Sequence, residues 1–530
     1  MKSARTASHS SLLLTVGVVV FGALALAQQN AVQPQPQADK LPAPGTGSPK
    51  LSQTTPRPEG AMPQAPAGFT VTAYADIDAP RMMVYAPNGD LFVSSPAANT
   101  ITVLRDANND GVFEERSVYA AGPAPARRGG GGGFGAPGGR PGAGPGARAG
   151  AAPGAATNAA TPAPPAPATP AAPAPAAGGA APAPAAAPPA PGGAAPAPGG
   201  AGAPGGQRRG GGAGGVGGRG APSILGANAP ACAAPPAFVQ SGPGVVQAPF
   251  GLAFHGDYLY VGNTGSLVRF KYKNGDLKAQ GEPEKLMDLP TGGHSTRNVL
   301  FNRAGTKMYV AVGSSSNNDA GEDCRRAAIL EFNPDGSGYR VFASGIRNPV
   351  GLALQPGTDT LWTAMNERDN YGDDLVPDYA TSVKDGGFYG WPYSYIGKNY
   401  DPRYIGSFPD LVNRAIVPDV LIPAHSAALG ITFYTGNQFP QRYRNGAFVA
   451  LHGSWNRSSA AGYKVIFFPM NNGKPGPIED FLTGFLSSDG TKDTPIVKWG
   501  TPVGVTVARD GALLVSDDAG NRIWKISARK

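Results

Sequence analysis

The chain has 530 residues, of which 77 are glycine and 56 are proline, and its formal net charge of +8 suggests a nucleic acid or an anionic surface as partner. However, seven arginines lie without any acid in residues 122–236, and Lys2 and Arg5 lie within the first 27 residues. The remaining chain has a net charge of −1, which argues against a nucleic-acid partner for the folded part.

Residues 1–27 have the pattern of a cleaved secretory signal. Lys2 and Arg5 precede a short apolar run that ends in Ala25-Leu26-Ala27, which signal peptidase accepts. No second apolar stretch approaches the roughly 20 residues that a membrane-spanning helix needs. We therefore expect a periplasmic or secreted protein with no stable membrane insertion. Residues 28–66, rich in Pro and Gln without periodic apolar positions, are predicted to be a disordered tether.

Residues 122–236 consist almost wholly of Ala, Pro and Gly. This composition favours extended, poorly packed chain, so we predict a low-complexity insertion into a fold and not a separate domain. The only cysteines, Cys232 and Cys324, would tie the end of the insertion to a later loop if they are joined; two unpaired thiols are the alternative. The absence of a C-x-x-C-H motif argues against covalently attached haem.

Residues 67–530, outside the insertion, repeat a short apolar strand, a tight turn and a second alternating strand. Six copies are recognisable, from RMMVYAPNGDLFVSS at residue 81 to PVGVTVARDGALLVSD at residue 502. Alternation with period two across such turns is typical of hairpins, and radial repetition of small sheets predicts an all-β fold, a six-bladed β-propeller. The strand Phe69–Tyr74 is expected to close the ring beside Arg522–Ile526.

Two polar clusters precede the first strands of successive copies. The first, Gly292 to Asn298, presents His294 on a glycine-flanked loop, where an imidazole suits proton abstraction near neutral pH; a histidine hydrogen-bonded into a turn is the alternative. The second contains Arg347 and Asn348, whose donors suit carboxylates, although such pairs also pin loops.

Two further clusters are rich in acids, cations and aromatic residues. The third runs from Asn366 to Asp378 and offers the hard oxygen ligands that Ca²⁺ accepts, with a solvated acidic loop as the alternative. Trp391 follows it and suits a sugar face or a flat cofactor. The fourth adds polar and aromatic side chains to the same rim: His425, His452, Trp455, Arg457 and Lys464.

A separate acidic loop starts at Asp106 and resembles an EF-hand loop at its beginning. Its twelfth position is Ser117, where a bidentate Glu is expected, so we interpret it as a hairpin turn. The sequence contains no G-x-S-x-G elbow, Walker loop or dinucleotide fingerprint, which argues against the commonest hydrolase and nicotinamide-dependent classes.

Taken in order, the loop motifs resemble the glucose/sorbosone dehydrogenase family of six-bladed quinoproteins. The motifs are GGHS, GIRNPVGLAL, NERD with GDDLVPDY, GGFYGWPY, AHSAALGITFY and HGSWNR with GYKV, and the resemblance covers residues 67–121 and 236–530. It implies pyrroloquinoline quinone over the channel mouth, with Ca²⁺ polarising its reactive carbonyl. It also implies His294 as the base, Arg347 and Asn348 as quinone ligands, and the backbone carbonyls of Glu367 and Arg368 as calcium ligands.

The implied cofactor is a planar tricarboxylate, so Arg457 and Lys464 are expected to help neutralise it. The resemblance implies a small-molecule sugar or aldehyde as substrate, and the absence of a haem motif implies a separate electron acceptor, a cytochrome or a quinone. The candidates for a substrate rim are Asp373, Asp374, Trp391, His425 and Trp455.

Two other classes of function fit a six-bladed propeller: a calcium-dependent lactonase or esterase, and a non-catalytic propeller that binds carbohydrate or a partner. A lactonase needs several carboxylates that converge on the channel axis, whereas the acids of this chain concentrate in one loop. A glutamine that contacts the quinone in soluble glucose dehydrogenases has no clear match near Pro249 and Phe250. We expect a quinone-dependent sugar or aldehyde dehydrogenase and retain the two alternatives.

Overall fold

The computed structural model describes residues 35–108, 110–123, 243–491 and 493–529. The predicted signal, all but the first two residues of the predicted insertion, and Cys232 lie outside these ranges. Cys324 is disulfide-bonded. None of the helices in the described ranges has the length and apolar character that crossing a bilayer requires.

Six sheets, antiparallel apart from one short parallel pairing in blade 3, form six blades, which confirms the predicted propeller. Blade 1 contains β3 (Met83–Tyr85), β4 (Leu91–Ser95), β5 (Thr100–Arg105) and β6 (Glu115–Ala121). Blade 2 contains β7 (Gly251–His255), β8 (Tyr258–Gly262), β9 (Ser266–Lys271) and β10 (Glu284–Asp288). Blade 3 contains β11 (Val299–Phe301), β12 (Met308–Val312), β13 (Ala328–Phe332), β14 (Arg340–Ser344) and the short β18 (Gly387–Phe388).

The other three blades have four strands each. Blade 4 contains β15 (Asn348–Leu354), β16 (Leu361–Asn366), β17 (Asp378–Ser382) and β21 (Val420–Ile422). Blade 5 contains β22 (Ala428–Phe433), β23 (Ala447–Leu451), β24 (Lys464–Phe468) and β27 (Glu479–Leu482). Blade 6 contains β30 (Pro502–Val507), β31 (Leu513–Asp517), β32 (Arg522–Ala528) and β2 (Phe69–Asp76).

Short elements decorate the blades. The strands are β1 (Gln53–Thr54), β19 (Ser394–Tyr395), β20 (Asn399–Tyr400), β25 (Met470–Asn471), β26 (Lys474–Pro475), β28 (Leu486–Asp489) and β29 (Ile496–Lys498). The helices are α1 (Pro409–Asn413) and two 3₁₀ turns, Pro402–Tyr404 and Gln441–Tyr443.

The ring closes through the first and last strands of the propeller. β2 pairs antiparallel with β32 from Phe69 opposite Ala528 to Asp76 opposite Arg522, with one bulge. The predicted closure is therefore confirmed. Because the N-terminal strand completes the last blade, neither end of the propeller chain leaves an open blade behind.

The core lies between neighbouring blades, which explains why the inner strands are apolar on both faces. All five residues of β4 are buried. Phe92 packs with residues of blade 2 such as Leu252, whereas Leu91 and Val93 pack with residues of blade 6. Alternating side chains thus fill two different interfaces, and each strand fixes the positions of the blades on either side of it.

Apolar side chains close the channel below its mouth. Phe250, Val350, Leu429 and Val503 form one buried cluster, with Met82 packed against it. They come from inner strands, or the residues just before them, in different blades, so they meet at the channel axis. The mouth is therefore a depression with an apolar floor.

The prediction of a disordered tether is wrong for residues 35–66. The segment packs on the propeller instead of forming a free tether: β1 pairs in parallel with β29, and Gln64 exchanges backbone hydrogen bonds of 2.9 Å with Thr483. These contacts are made by backbone N–H and C=O groups. Because every residue type has such groups, the composition of the segment does not predict the contacts.

Candidate active site at the channel mouth

The loops that carry His294, Arg347, the acidic segment and the fourth cluster's Trp455 and Arg457 open at one end of the propeller. In an antiparallel blade, the link between the second and third strands and the link to the next blade leave at the same end. His294, Arg347 and His425 lie on links between blades, whereas Glu367 to Asp374 and Trp455 to Arg457 lie on links between second and third strands. The fold therefore brings together motifs that are far apart in sequence.

His294 is half-buried and has a defined tautomer. Its Nδ1 lies 2.9 Å from the carbonyl oxygen of Ser314, which can only accept, so Nδ1 carries the proton. Burial, reinforced by the Arg347 guanidinium, lowers the pKa of His294 to about 3. The imidazole is neutral near pH 7, and its Nε2 lone pair, which bonds none of the described residues, is available as a base.

Two buried arginines hold the histidine loop, and the sequence reasoning assigned neither of them a role. Arg297 is fully buried and donates to the carbonyls of Pro290, His294 and Thr296 at 2.6 to 2.8 Å. Arg326 donates to the carbonyl of Thr291 in this loop and, at 3.0 Å, to the carbonyl of Gly313. Burial lowers the pKa of Arg297 to about 9, since its bonds satisfy donors without a carboxylate partner.

Asn348 and Arg347 lie beside His294, as the sequence predicted for a joint site. A Cβ atom built on Gly313 would lie 2.3 Å from Asn348 Oδ1 and 2.7 Å from His294 Cβ, so only glycine permits this approach. Asn348 Nδ2 donates to Asn366 at 3.2 Å, while its buried Oδ1 has no partner among the described residues. That oxygen is free to accept a bond from a ligand.

Arg347 is buried, and its donors are already engaged. Nε donates to the carbonyl of Asn317 at 3.0 Å, Nη1 to that of Glu367 at 2.6 Å, and Nη2 to the Asn317 side chain at 2.9 Å. Asp369 lies 3.4 Å from Nη2. Burial lowers the pKa of Arg347 despite these partners. The guanidinium is held rigidly at the mouth.

The acidic loop is mainly a buried ion-pair network. Arg368 Nε lies 2.9 Å from Glu367 Oε2, and Arg368 Nη1 lies 2.8 Å from Asp401 Oδ2, with all three side chains fully buried. The side chains of Glu367 and Arg368 therefore serve as ion-pair partners, and the assignment of their backbone carbonyls as calcium ligands stays a prediction. Their charges fix the loop to the turn around Asp401.

His425 and Trp391, predicted as rim residues, are instead buried. His425 Nε2 donates to the carbonyl of Gly372 at 2.9 Å and Nδ1 faces Asp369 at 3.3 Å, contacts that raise its pKa although burial alone would lower it. Trp391 is 5% exposed and donates from Nε1 to the Asn317 carbonyl at 2.9 Å. Both side chains support the loops and do not face solvent, whereas Trp455 stays half-buried.

The remaining predicted charged residues have ion-pair or hydrogen-bond partners within the chain. Arg457 Nη2 lies 2.8 Å from Asp374 Oδ1, and the Asp373 carboxylate accepts from the backbone N–H of Ser458 at 3.1 Å. Lys464 lies on β24 and pairs with Asp480 of the outer strand at 2.8 Å. The geometry therefore gives Arg457 and Lys464 acidic partners of their own.

A cavity of about 270 Å³ opens at the mouth on the side of blades 5, 6, 1 and 2. Its lining combines charged and hydroxyl side chains over Phe250, and the charged and histidine residues among them are Arg81, His452, Lys498 and Asp518. Ser295 and Thr296, the neighbours of His294, line its other side, and Thr296 Oγ1 has no partner in the described residues. The cavity thus reaches the histidine loop.

Asp518 organises the charged wall of this cavity. Its carboxylate lies 2.6 Å from Arg81 Nη2 and 3.1 Å from His452 Nε2. Although burial raises the pKa of Asp518, Arg81 and His452 hold it below the ordinary range; burial lowers the pKa of His452 and of Lys498. With His452 neutral, two cations face one anion, and the wall attracts negative charge.

Sequence reasoning missed Arg81, Lys498 and Asp518. One signal for Arg81 was available, because arginine recurs at the end of the link that precedes the first strand in blades 1, 3 and 4, as Arg81, Arg297 and Arg347. Lys498 and Asp518 lie in segments without a recognised motif, and only the folded ring brings them together.

Together these features define the chain as a six-bladed propeller with a neutral histidine and a cationic cavity at one channel mouth. The family model for glucose/sorbosone dehydrogenase matches residues 262–454, which include His294, Arg347 and the acidic loop. The predicted resemblance is confirmed over that range. A second model, described as TrAA12-like, matches residues 411–529.

Related proteins match parts of the chain. An uncharacterized protein of Borreliella burgdorferi is 33% identical over 243 residues, 45% of this chain and 61% of that protein. The aldose sugar dehydrogenase YliI of Escherichia coli is 27% identical over 169 residues, 29% of this chain and 44% of that enzyme. The chain therefore spans less than two thirds of the length of these relatives.

Solved structures share the fold. The Trichoderma reesei protein of carbohydrate-active enzyme family AA12 has a TM-score of 0.56 at 16% identity, with 90% of this chain and 98% of that chain covered. The holo pyranose dehydrogenase PQQ domain of Coprinopsis cinerea has a TM-score of 0.56 at 18% identity, with 89% and 98% covered.

Proposed function

We propose that this protein is an exported quinoprotein that oxidises a sugar or aldehyde, with pyrroloquinoline quinone as cofactor and His294 as general base. The observation that carries the proposal is the neutral His294, whose Nδ1–H is fixed on the Ser314 carbonyl while Nε2 is unengaged beside Asn348. The match of the glucose/sorbosone dehydrogenase model to this part of the chain supports it.

The mouth cavity fits the chemistry of the cofactor. Pyrroloquinoline quinone is a flat tricarboxylate, and Arg81 and Lys498 supply positive charge on one wall of a cavity with an apolar floor at Phe250. Thr296 Oγ1, which no described residue satisfies, supplies a polar contact in this lining, and the unpartnered Asn348 Oδ1 lies beside His294. When bound, the quinone would accept the two electrons that leave the substrate as hydride.

The residues of the chain would handle the proton. Nε2 of His294 takes the proton of the substrate hydroxyl as the adjacent C–H bond breaks, and the Ser314 carbonyl holds Nδ1–H throughout. Arg297 and Arg326 keep the histidine loop in place through its backbone carbonyls, Arg297 through those of Pro290, His294 and Thr296 and Arg326 through that of Thr291. The fixed tautomer means that no rotation of the imidazole is needed before the reaction.

The calcium ion implied by the resemblance does not fit the Glu367 carbonyl. That oxygen accepts a hydrogen bond from Arg347 Nη1 at 2.6 Å, and the positive charge of this guanidinium would repel a divalent cation bound to the same oxygen. The separate electron acceptor, a cytochrome or a quinone, and the export of the protein are parts of the proposal.

The proposal is tested by dye reduction with the purified full chain. Aldoses and aldehydes are supplied with and without pyrroloquinoline quinone, and each arm is repeated with Ca²⁺. We expect reduction that requires the quinone. A chain that hydrolyses lactones, or that binds sugars without reducing the dye in any arm, would instead support one of the two alternative classes.

A further inference from the structure

Residues 45–55, which we call the strap, lie across three loops of the mouth. The strap donates three main-chain hydrogen bonds to these loops: Gly45 N to Tyr371 O at 2.9 Å, Lys50 N to Trp455 O at 2.7 Å and Thr55 N to Lys498 O at 2.9 Å. The acceptors belong to blade 4, to blade 5 and to the link between blades 5 and 6. The strap therefore joins parts of the mouth that no blade connects directly.

The strap sits most tightly at Gly47. A Cβ atom built there would lie 2.9 Å from Asn370 Cα and 3.0 Å from Asn456 Oδ1, and the Asn456 side chain is fully buried. Gly45 differs, because the nearest atoms to its added Cβ are 3.8 Å away. A side chain at residue 47 must push the strap outward, whereas a methyl group at residue 45 has room.

The end of the strap reaches the cavity. Thr54 is one of the cavity-lining residues, and in the parallel pairing of β1 with β29 it lies opposite Lys498, which lines the same cavity. Ser52 also bonds the side chain of Tyr463. The strap thus supports the strand that carries a cavity cation and forms part of the rim beside it.

We propose that the strap is a retaining rim that slows the release of whatever occupies the mouth cavity. The identity of that occupant, pyrroloquinoline quinone, rests on the proposed function. An occupant held by Lys498 and Arg81 meets Thr54 on that side, and the three main-chain bonds must open for the rim to move. The device needs no motion of the blades, because every contact it breaks lies in the loops.

The test uses the full chain and the variants Gly47→Val and Gly45→Ala. Isotopically labelled pyrroloquinoline quinone is bound and chased with excess unlabelled quinone, and its dissociation rate is followed from the label that stays with the protein. Gly47→Val is expected to release the quinone at least tenfold faster, and Gly45→Ala is expected to stay within twofold of the parent. An unchanged rate in Gly47→Val would overturn the proposal.

Hydrogen exchange provides a readout that needs no ligand. The amides of Gly45, Lys50 and Thr55 should exchange at least tenfold faster in Gly47→Val, and a second variant, Thr55→Pro, should free the other end of the strap and raise quinone release as well. If the parent protein binds no quinone, the proposed function fails. If the amides of Gly45 and Lys50 stay protected in both variants, the strap is not a rim that these bonds hold in place, and the proposal is refuted.

Discussion

The two sides of the channel mouth use polar residues in opposite ways. On the side of blades 3 and 4, the charged residues are buried. Arg347 donates hydrogen bonds to backbone carbonyls, and Arg368 forms an ion pair with Glu367. On the side of blades 5, 6 and 1, Arg81 and Lys498 line an open cavity. The first side is a rigid support for His294, and the second offers charge to a ligand.

A sequence segment with many charged residues, such as the acidic loop, therefore does not by itself indicate a ligand-binding surface. The acidic loop has the highest density of charges, yet its central ion pairs are sealed from solvent. Burying such charges is tolerable only because each has a partner. The cations that line the open cavity are Arg81 and Lys498, and neither has a charged residue next to it in the sequence.

The largest predicted effect concerns the sealed side. Arg368→Ala leaves Glu367 and Asp401 buried without their cation, so the free energy of unfolding should fall by about 3 to 5 kcal/mol. Denaturant unfolding measures it. Arg403→Ala is the matched control, because Arg403 and its partner Asp319 are exposed, and its effect should stay below about 1 kcal/mol. Equal losses in both variants would contradict the distinction.

A smaller effect is expected on the open side. Arg81→Met and Lys498→Met each remove a cavity cation, and each should weaken pyrroloquinoline quinone binding by roughly 10- to 100-fold, the value of a charge-assisted hydrogen bond. Fluorescence titration measures the affinity. Arg442→Met serves as control. Arg442 pairs with Glu479 and lies on the link between β22 and β23, at the end of the propeller opposite the mouth. Undiminished affinity in both cavity variants would place the quinone elsewhere.

The pH dependence of stability tests whether His294 is neutral in the folded protein. The folded protein keeps this imidazole neutral down to a pKa of about 3, whereas the unfolded chain protonates it near 6.5. Protons therefore favour the unfolded state, and stability should fall by about 1 kcal/mol per pH unit as the pH drops below 6.5. His294→Gln should flatten this slope in denaturant titrations. A slope that persists unchanged would assign it to other groups, such as His452.

The smallest predicted effect tests whether Lys464 contacts the cofactor, as the family resemblance implies, or only pairs with Asp480. Lys464 is paired with Asp480 on the outer strands of blade 5, so Lys464→Met should leave quinone affinity within about twofold and cost at most about 1 kcal/mol of stability. The same titration and denaturation experiments apply. A tenfold loss of affinity would restore the cofactor contact that the resemblance implies.

The fold was predictable because period-two alternation and hairpin turns recur in each copy, and the closure of β2 on β32 follows from the ring itself. His294 with Arg347 and Asn348 was predictable as a group, since their loops occupy the same place in successive copies. The pairing of Arg457 and Lys464 with acids was not, because side-chain partners depend on which loops meet. The docking of residues 45–55 was also hidden, since main-chain bonds leave no mark on composition.

The central claim is that His294 is the base at this mouth. His255 offers a matched control, because it is a half-buried histidine that stacks on Phe301 at 4.4 Å near the turn between β7 and β8, at the opposite end of the blades.

The most direct measurement is the rate of dye reduction by quinone-loaded His294→Ala and His255→Ala at saturating sugar. We predict that kcat falls by about 10²- to 10⁴-fold in His294→Ala, the contribution of a general base, and by no more than about threefold in His255→Ala. A quinone-dependent rate in His294→Ala equal to that of the parent protein would contradict the account.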